Sequence, residues 1–173
     1  GCVDLRVNVN VSAKQLHQPD LVQRIAQILE ESGLPAESLT LEMTEGVLMV
    51  DTEATLATLQ SIRRLGVRLA IDDFGTGYSS LSYLHRFPVD TLKIDRGFVM
   101  GLAEGRDETM VMSIIRLAKS LDIETVAEGI ERRRDARVLA RLQCDLGQGF
   151  YFAAPMPADA MSRVLRTPAS EMS

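Results

Sequence analysis

The sequence predicts an α/β fold of the (β/α)8 barrel type with about six βα units, and two observations predict it. Short β-type runs alternate with amphipathic helical runs along the chain, the pattern of a parallel sheet faced by helices. Each predicted strand also ends in a chemically capable side chain. A barrel gathers the carboxyl ends of all its strands into one ring, whereas an open sheet gathers ligand groups mainly at one switch point. The strand ends therefore favour a barrel, and an open six-stranded sheet is the alternative.

The six units follow one another in chain order, with glycines ending the first two long helical patterns. The predicted strands are 5–11, 39–43, 67–71, 91–94, 124–127 and 149–152. The predicted helices are 20–32, 52–65, a short one beginning near Ser79 or Ser80, then 108–121, 133–142 and 158–165. Since closure of a barrel needs eight units, we expect about two to be missing on the N-terminal side.

Composition excludes several classes of protein. The chain has 173 residues, 46% of them hydrophobic and 25% charged, with a net charge of −5. We expect one domain over 1–166 and a tail over 167–173. The negative charge disfavours a nucleic-acid polymer or an anionic membrane as partner, and no apolar run is long enough to span a bilayer. Cys2 and Cys144 suit reduced thiols, so we expect a cytoplasmic location, with membrane anchoring left open for a longer parent protein.

The strand-end side chains supply the candidate site. They are Asn10, Glu42, Asp72 with Asp73, Lys93 with Asp95, Glu128 and Gln148. Carboxylate and amide oxygens at the mouth of a barrel suit hard cations such as Mg²⁺ or Mn²⁺. An aspartate that bridges two such ions would give the arrangement used to cleave phosphodiesters.

The adjacent Asp72 and Asp73 precede a turn that contains Gly75 and Gly77. Neighbouring residues of a strand point to opposite faces, so two of them can serve one site only where the chain leaves the strand. The glycines provide such an exit. The alternative is that Asp72 caps a helix and Asp73 is a solvated loop residue.

Lys93 interrupts an apolar strand. A buried lysine is costly unless it is paired, and a pocket of carboxylates would pair it. It would then orient or deprotonate a water molecule, or offset charge on a reacting phosphorus. Asp95 falls on the same face and is a candidate to hold this lysine. The alternative is a lysine whose ammonium reaches water from the strand end.

Three further polar residues have structural alternatives of equal weight. Glu131 is predicted to open a helix, where a carboxylate suits the dipole. Glu45 follows "LEMT" and could brace a neighbouring loop by accepting backbone N–H bonds. Gln148 could read the edge of a nucleobase or bind the barrel mouth.

Six motifs together resemble the EAL-domain phosphodiesterases of bacterial cyclic di-GMP signalling. In chain order they are "NVNVSAKQL", "LEMTE", "AIDDFGTGYSSLSYL", "LKIDRGFV", "VAEGIE" and "QGFYFAAPMP". The resemblance implies a modified TIM-type (β/α)8 barrel that hydrolyses cyclic di-GMP to linear pGpG with Mg²⁺ or Mn²⁺. It also implies a homodimer through the barrel and accompanying sensory or GGDEF domains. The Glu-Ala-Leu signature itself is not in the chain, consistent with a missing N-terminal part.

The resemblance also implies roles for individual residues. Asn10, Glu42, Asp72 and Asp73 correspond to metal ligands, with Asp72 shared by two ions. Lys93, Asp95 and Glu128 correspond to catalytic residues, and Glu45, Glu131 and Gln148 to substrate-binding or loop-supporting ones. Residues 73–80 match the loop that couples the metal site to dimerisation. A catalytically inactive cyclic di-GMP receptor and an unrelated metal-dependent barrel enzyme are the alternative functions.

Overall fold

The computed structural model describes residues 5–48, 52–76 and 84–166. Its six strands lie close to the predicted positions, except the last. They are β1 (Val7–Asn10), β2 (Leu39–Thr44), β3 (Arg68–Phe74), β4 (Thr91–Ile94), β5 (Glu124–Ala127) and β6 (Leu146–Gly147).

The described helices alternate with these strands. They are α1 (Ala13–Leu16), α2 (Leu21–Ser32), α3 (Glu45–Leu48), α4 (Thr52–Arg64), α5 (Arg96–Val99), α6 (Glu108–Ser120), α7 (Arg133–Arg141) and α8 (Ala158–Arg166). Short 3₁₀ turns cover Ala36–Ser38 and Leu102–Glu104. The long helices 20–32, 52–65, 108–121, 133–142 and 158–165 were therefore predicted to within two residues at each end.

The six strands form one sheet in chain order, β1 to β6, and every neighbouring pair is parallel. This sheet is strongly curled. Arg6, just before β1, forms an ion pair of 2.9 Å with Glu124 at the start of β5. In a flat sheet, strands four places apart would be about 19 Å from each other. The curl confirms a barrel-type α/β architecture and removes the open sheet from consideration.

The two faces of the curled sheet have different chemistry. The outer face packs against the helices through aliphatic side chains such as Leu41, Leu69, Leu92 and Ile94, which are almost completely buried. The inner face carries the alternate residues, and many of these are polar or charged. The register sets this division, because Glu42 pairs with Ala70 and Thr44 with Asp72 on one shared face.

The inner face has an ion cluster at the amino ends of the strands. The Oε2 atom of Glu124 contacts Arg6 at 2.9 Å, Arg68 at 3.5 Å and the hydroxyl of Thr91 at 3.5 Å. Together, Arg6, Arg68, Thr91 and Glu124 link strands β1, β3, β4 and β5. This cluster lies at the opposite ends of the strands from the candidate site.

The prediction of the sixth strand at 149–152 was wrong. The strand is Leu146–Gly147, and the following residues form a turn in which Phe150 and Phe152 are mostly exposed. The aromatic run resembled a strand, but Tyr151 N donates to Ile130 O at 2.9 Å and Phe152 N donates to Gly149 O at 3.0 Å. The first of these hydrogen bonds is long-range and the second closes a local turn, and neither continues the pairing of β6 with β5.

Some predictions fall on residues outside the described ranges. They concern Cys2, the short helix near Ser79, the second half of the loop 73–80, and the tail 167–173. Within the described residues, no helix combines the length and the apolar character needed to cross a bilayer.

Candidate functional site

The site is centred on Lys93, whose side chain is only 5% exposed on β4. Its Nζ atom lies 2.8 Å from Oε2 of Glu42, 3.0 Å from Oδ1 of Asp72 and 2.7 Å from Oε1 of Glu128. One ammonium group therefore contacts three carboxylates from three other parts of the sheet. The alternative in which Lys93 reaches out to water does not occur here.

The parallel register explains why these four side chains meet. Thr91 pairs with Ala70 and with Glu124, and alternate residues of a strand share one face. Lys93 and Asp72 therefore point inward together, and Glu42 does so because it pairs with Ala70. Glu128 directly follows β5. Curling of the sheet then brings these inward side chains together at its carboxyl edge.

Asp72 and Asp73 lie where β3 is irregular. The prediction ended this strand at Ile71, but it continues to Phe74, with a register shift against β4 between those two residues. Asp73 has a φ of 53°, a left-handed conformation that aspartate tolerates better than most residues. Its N–H donates to Oδ1 of Asp72 at 3.1 Å. The kink thus allows both carboxylates to lie on the same side.

The turn after β3 depends on a glycine and on Glu45. Gly75 has a φ of 97°, and a Cβ atom there would lie 3.0 Å from the ring of Phe98. Its N–H donates to Oε2 of the buried Glu45 at 3.3 Å. Glu45 therefore connects the end of β2 to the start of the turn that follows Asp73.

The carboxylates around Lys93 shift its pKa. Burial by itself lowers the pKa of an ammonium group, but the hydrogen bonds to Glu128, Glu42 and Asp72 outweigh it, so the pKa of Lys93 lies above its ordinary value. The opposite balance holds for Glu128. Its burial raises the pKa more than the contact with Lys93 lowers it, and the charges of Asp72 and Glu42 raise it further. The raised pKa of Lys93 means that its ammonium group stays protonated at neutral pH.

Asp73 interacts with Asp95, which does not contact Lys93 in the described structure. Burial, the charge of Asp72 and the proximity of Asp95 all raise the pKa of Asp73. Asp95 also caps α5, because its Oδ1 accepts a hydrogen bond from Gly97 N at 2.8 Å. The expectation that Asp95 holds Lys93 was wrong. The carboxylate of Asp95 interacts with Asp73, and three other carboxylates contact the lysine.

The remaining predicted residues lie around this centre. The Cα atom of Asn10 pairs with that of Glu42, and its side chain makes no hydrogen bond that is found among the described residues. Gln148 follows β6 and holds the strand ends through its backbone, to Ala127 and Ile130. Glu131 lies two residues before α7, not at its start, and forms an exposed ion pair of 2.7 Å with Arg96.

Gly129 lies between the ion pairs of Glu128 and Glu131. Its φ is 67°, and a Cβ atom at this position would overlap the side chain of Arg96. Glycine therefore allows Arg96 to cross directly over the chain. This close approach accounts for the glycine in "VAEGIE".

Sequence reasoning did not identify Asn8 as a site residue, although its side chain contacts Glu42. Its Nδ2 atom donates to Oε1 of Glu42 at 2.8 Å. The available signal was its spacing, since Asn8 lies two residues before Asn10 and so shares its face of β1.

Three carboxylates form a donor set for a metal ion. Asp72, Asp73 and Glu128 each offer an oxygen, and these oxygens all lie within 4.8 Å of one another. Oxygen-only donors with several negative charges fit Mg²⁺, Mn²⁺ or Ca²⁺ better than softer metals. The donor chemistry therefore fits a hard divalent cation at this edge of the sheet.

The family is decided by a match between residues 3–155 and the model of the EAL domain. The chain belongs to the EAL domain family. The EAL match includes all six strands and every residue of the site described above.

Individual relatives are similar to this chain over most of its length. The cyclic di-GMP phosphodiesterase NbdA of Pseudomonas aeruginosa is 45% identical over 163 residues, which are 94% of this chain and 21% of NbdA. The bifunctional diguanylate cyclase/cyclic di-GMP phosphodiesterase MucR of the same species is 42% identical over 162 residues, or 93% of this chain and 24% of MucR. The chain thus spans about a fifth to a quarter of these relatives.

Solved EAL structures share the fold. A complex of the MucR phosphodiesterase with cyclic di-GMP has a TM-score of 0.86 at 42% identity, covering 90% of this chain and 64% of that one. A manganese and cyclic di-GMP complex of BlrP1 from Klebsiella pneumoniae has a TM-score of 0.81 at 33% identity, covering 88% of this chain and 39% of that one. The curled sheet seen here is therefore the EAL fold.

Proposed function

We propose that this EAL chain is part of an enzyme that hydrolyses cyclic di-GMP to linear pGpG with the help of Mg²⁺ or Mn²⁺. The observation that carries the proposal is the group of Glu42, Asp72 and Glu128 around Lys93, at the strand ends of an EAL domain. The names of NbdA and MucR, and the cyclic di-GMP complexes of MucR and BlrP1, support the substrate.

Asp72, Asp73 and Glu128 would hold a divalent cation, together with Glu42 and with Asn10, whose Cα atom is the register partner of Glu42. When bound, divalent cations offset negative charge on a phosphodiester and lower the pKa of the attacking water. The manganese complex of BlrP1 supports this choice of metal.

Lys93 acts in the proposed reaction as a fixed positive charge. Its raised pKa keeps the ammonium protonated, so it donates hydrogen bonds and does not remove a proton from water. In this arrangement its three N–H groups donate to Glu42, Asp72 and Glu128. Its charge would stabilise negative charge that develops on the phosphate, and an N–H released from one of these carboxylates would orient the water. Glu128, whose pKa is raised by burial and which contacts Lys93 at 2.7 Å, is the proposed acceptor of the proton released by the water.

The rest of the proposal concerns the longer protein. We propose that the EAL domain ends near residue 166, dimerises through its barrel, and works in the cytoplasm. The bifunctional name of MucR supports a GGDEF or sensory domain in the same polypeptide. Cyclic di-GMP is the proposed small-molecule partner, supported by the complexes of MucR and BlrP1.

The test is hydrolysis of cyclic di-GMP in Mg²⁺ or Mn²⁺, with the product followed by chromatography. It uses the full-length protein beside its Asp72→Ala variant. We expect turnover to pGpG by the parent and a loss of at least about a hundredfold in the variant, the scale expected when a group that stabilises the transition state is removed. Asp159→Ala is the matched control, since Asp159 is an exposed aspartate of α8.

Two outcomes would overturn the proposal. Binding of cyclic di-GMP without turnover would make the protein a receptor of the kind considered from the sequence. No binding, together with Mg²⁺-dependent turnover of a carboxylate substrate, would favour an unrelated barrel enzyme.

A further inference from the structure

Asn8 contacts the site without belonging to the set of predicted ligands. It lies on β1, two residues before Asn10, and its amide Nδ2 donates to Oε1 of Glu42 at 2.8 Å. Asn8 pairs with Thr40 in the register, so its side chain reaches along the inner face to the residue two positions further on β2.

The two oxygens of Glu42 are held by different donors. Oε1 accepts from Asn8, and Oε2 lies 2.8 Å from Nζ of Lys93. Glu42 is only 5% exposed, so water has little access to replace either donor. A buried carboxylate that keeps its charge needs such hydrogen bonds, and two donors on two oxygens also fix the rotation of the carboxylate plane.

The contact to Lys93 alone would leave the plane of the carboxylate free to turn about the axis to that nitrogen. The hydrogen bond from Asn8 prevents this rotation. Asn8 donates it from β1, which is the edge strand of the described sheet. Its amide is uncharged, so it orients Glu42 without competing for the negative charge of the site. An asparagine suits this position better than a second cation would.

We propose that Asn8 is a positioning residue, which orients Glu42 so that its carboxylate can take part in holding a divalent cation. The proposal rests on the proposed function, because it assumes that Glu42 acts toward a metal ion. It assigns Asn8 a part that is separate from that of Asn10, whose Cα atom is the register partner of Glu42.

A matched pair of variants tests this inference in the full-length protein. Asn8→Leu keeps the shape of the side chain and removes the donor, and Asn8→Ala removes both. The control is Gln27→Leu, because Gln27 also donates its amide to a glutamate, Glu31, at 2.7 Å, on the exposed surface of α2. The probe is Mn²⁺ alone, titrated calorimetrically and by the electron paramagnetic resonance of free Mn²⁺.

We expect both Asn8 variants to bind Mn²⁺ about tenfold more weakly than the parent, the usual loss when a partner of a metal ligand is removed. The Mn²⁺ concentration for half-maximal hydrolysis should rise by the same factor, with the rate at saturating Mn²⁺ nearly unchanged. The thermal unfolding midpoint of the metal-free protein should fall in both Asn8 variants, because Oε1 of Glu42 loses its donor. Every property of the Gln27 control should stay at the value of the parent.

The outcomes separate the two proposals. If the parent neither binds Mn²⁺ nor hydrolyses cyclic di-GMP, the proposed function fails and Asn8 has no metal site to position. If the parent does both and the Asn8 variants bind Mn²⁺ within twofold of it, only the inference on Asn8 is overturned. Loss of hydrolysis at saturating Mn²⁺ that is as large as the loss of Mn²⁺ affinity would also overturn it, since the effect of Asn8 would then not be confined to holding the metal.

Discussion

Lys93 contacts Glu42 at 2.8 Å although a whole strand, β3, lies between the strands that carry them. The lysine reaches across the inside of the curled sheet to make this contact. It meets Asp72 of the intervening strand on the way, and Glu128 from the other side. The contacts among these four side chains depend on the curvature of the sheet. They also place one positive charge among three carboxylates.

Replacing Lys93 by methionine should destabilise the metal-free protein. It leaves the carboxylates of Glu42, Asp72 and Glu128 together without a cation, and breaking such a buried pair typically costs about 3–5 kcal/mol. The unfolding free energy in urea with EDTA measures this loss. Lys14→Met is the control, since Lys14 is exposed on α1 and should cost far less.

The loss of unfolding free energy caused by Lys93→Met should become smaller as the pH falls from 8 to 5. The pKa of Glu128 is already raised in the folded protein, and it should rise further without the lysine. The folded variant then binds more protons than its unfolded state, so protonation stabilises it as the pH falls. A loss of the same size at both pH values would show that the three carboxylates do not repel one another.

Mg²⁺ or Mn²⁺ should stabilise the parent against unfolding. A ligand that binds only the folded state at a hundred times its Kd adds about 2.7 kcal/mol to the unfolding free energy. Asp72→Asn and Glu128→Gln should reduce this gain, since both residues belong to the oxygen donor set. Thermal unfolding with and without metal measures it, and Asp159→Asn should retain the full gain. Equal stabilisation of all variants would place the cation elsewhere.

Asp145 should contribute to stability far from the metal site. Its Oδ2 atom accepts hydrogen bonds from the backbone N of Thr125 at 2.9 Å and from its hydroxyl at 2.7 Å, and Thr125 is completely buried. Asp145→Ala leaves these donors unpaired, which should cost about 1–3 kcal/mol. Asp145→Asn keeps an oxygen and should cost less. Urea unfolding at pH 7 compares the two.

The same aspartate should give the protein an acid-sensitive component of stability. Burial raises the pKa of Asp145, but the hydrogen bonds from Thr125 outweigh it and the pKa lies below the ordinary value. Its contribution is therefore complete above the unfolded-state pKa and is lost as the pH falls through the lower, folded-state pKa. The stability difference between the parent and Asp145→Asn should narrow below about pH 4. A difference that stays constant down to pH 2 would contradict this origin.

Glu124 should matter more than Arg6 to the ion cluster at the amino ends of the strands. Arg6→Gln removes one partly exposed ion pair, worth about 0.2–1 kcal/mol. Glu124→Gln weakens the contacts to Arg6, Arg68 and Thr91 together. We expect its cost in unfolding free energy to be at least twice that of Arg6→Gln. Equal costs would mean that Arg68 and Thr91 gain nothing from the carboxylate.

Much of this fold could be predicted because local patterns decide it. The strand at 91–94 and the strand at 124–127 were located to the residue, since each is a short β-type run between polar turns. The last strand was misplaced because "GFYF" has the composition of a strand. Its actual conformation is decided by hydrogen bonds to Ile130, which lies on another part of the chain.

The site was partly accessible to the same reasoning. Glu42, Asp72, Lys93 and Glu128 stood out as polar residues at the ends of apolar runs, and they do meet. Which carboxylates pair with Lys93 could not be read, because that depends on the curl of the sheet and on the kink at Asp73. Asp95 is two residues from the lysine in sequence, yet its carboxylate caps α5 and meets Asp73.

The contacts of Lys93 mean that the site carries its own counterion. If these carboxylates bind divalent cations as proposed, they would otherwise repel one another whenever those cations are scarce. The ammonium group of Lys93 offsets this repulsion without a metal ion, and it would compete with a bound cation for the same carboxylates. The arrangement of these side chains in the folded protein therefore does not require a bound cation.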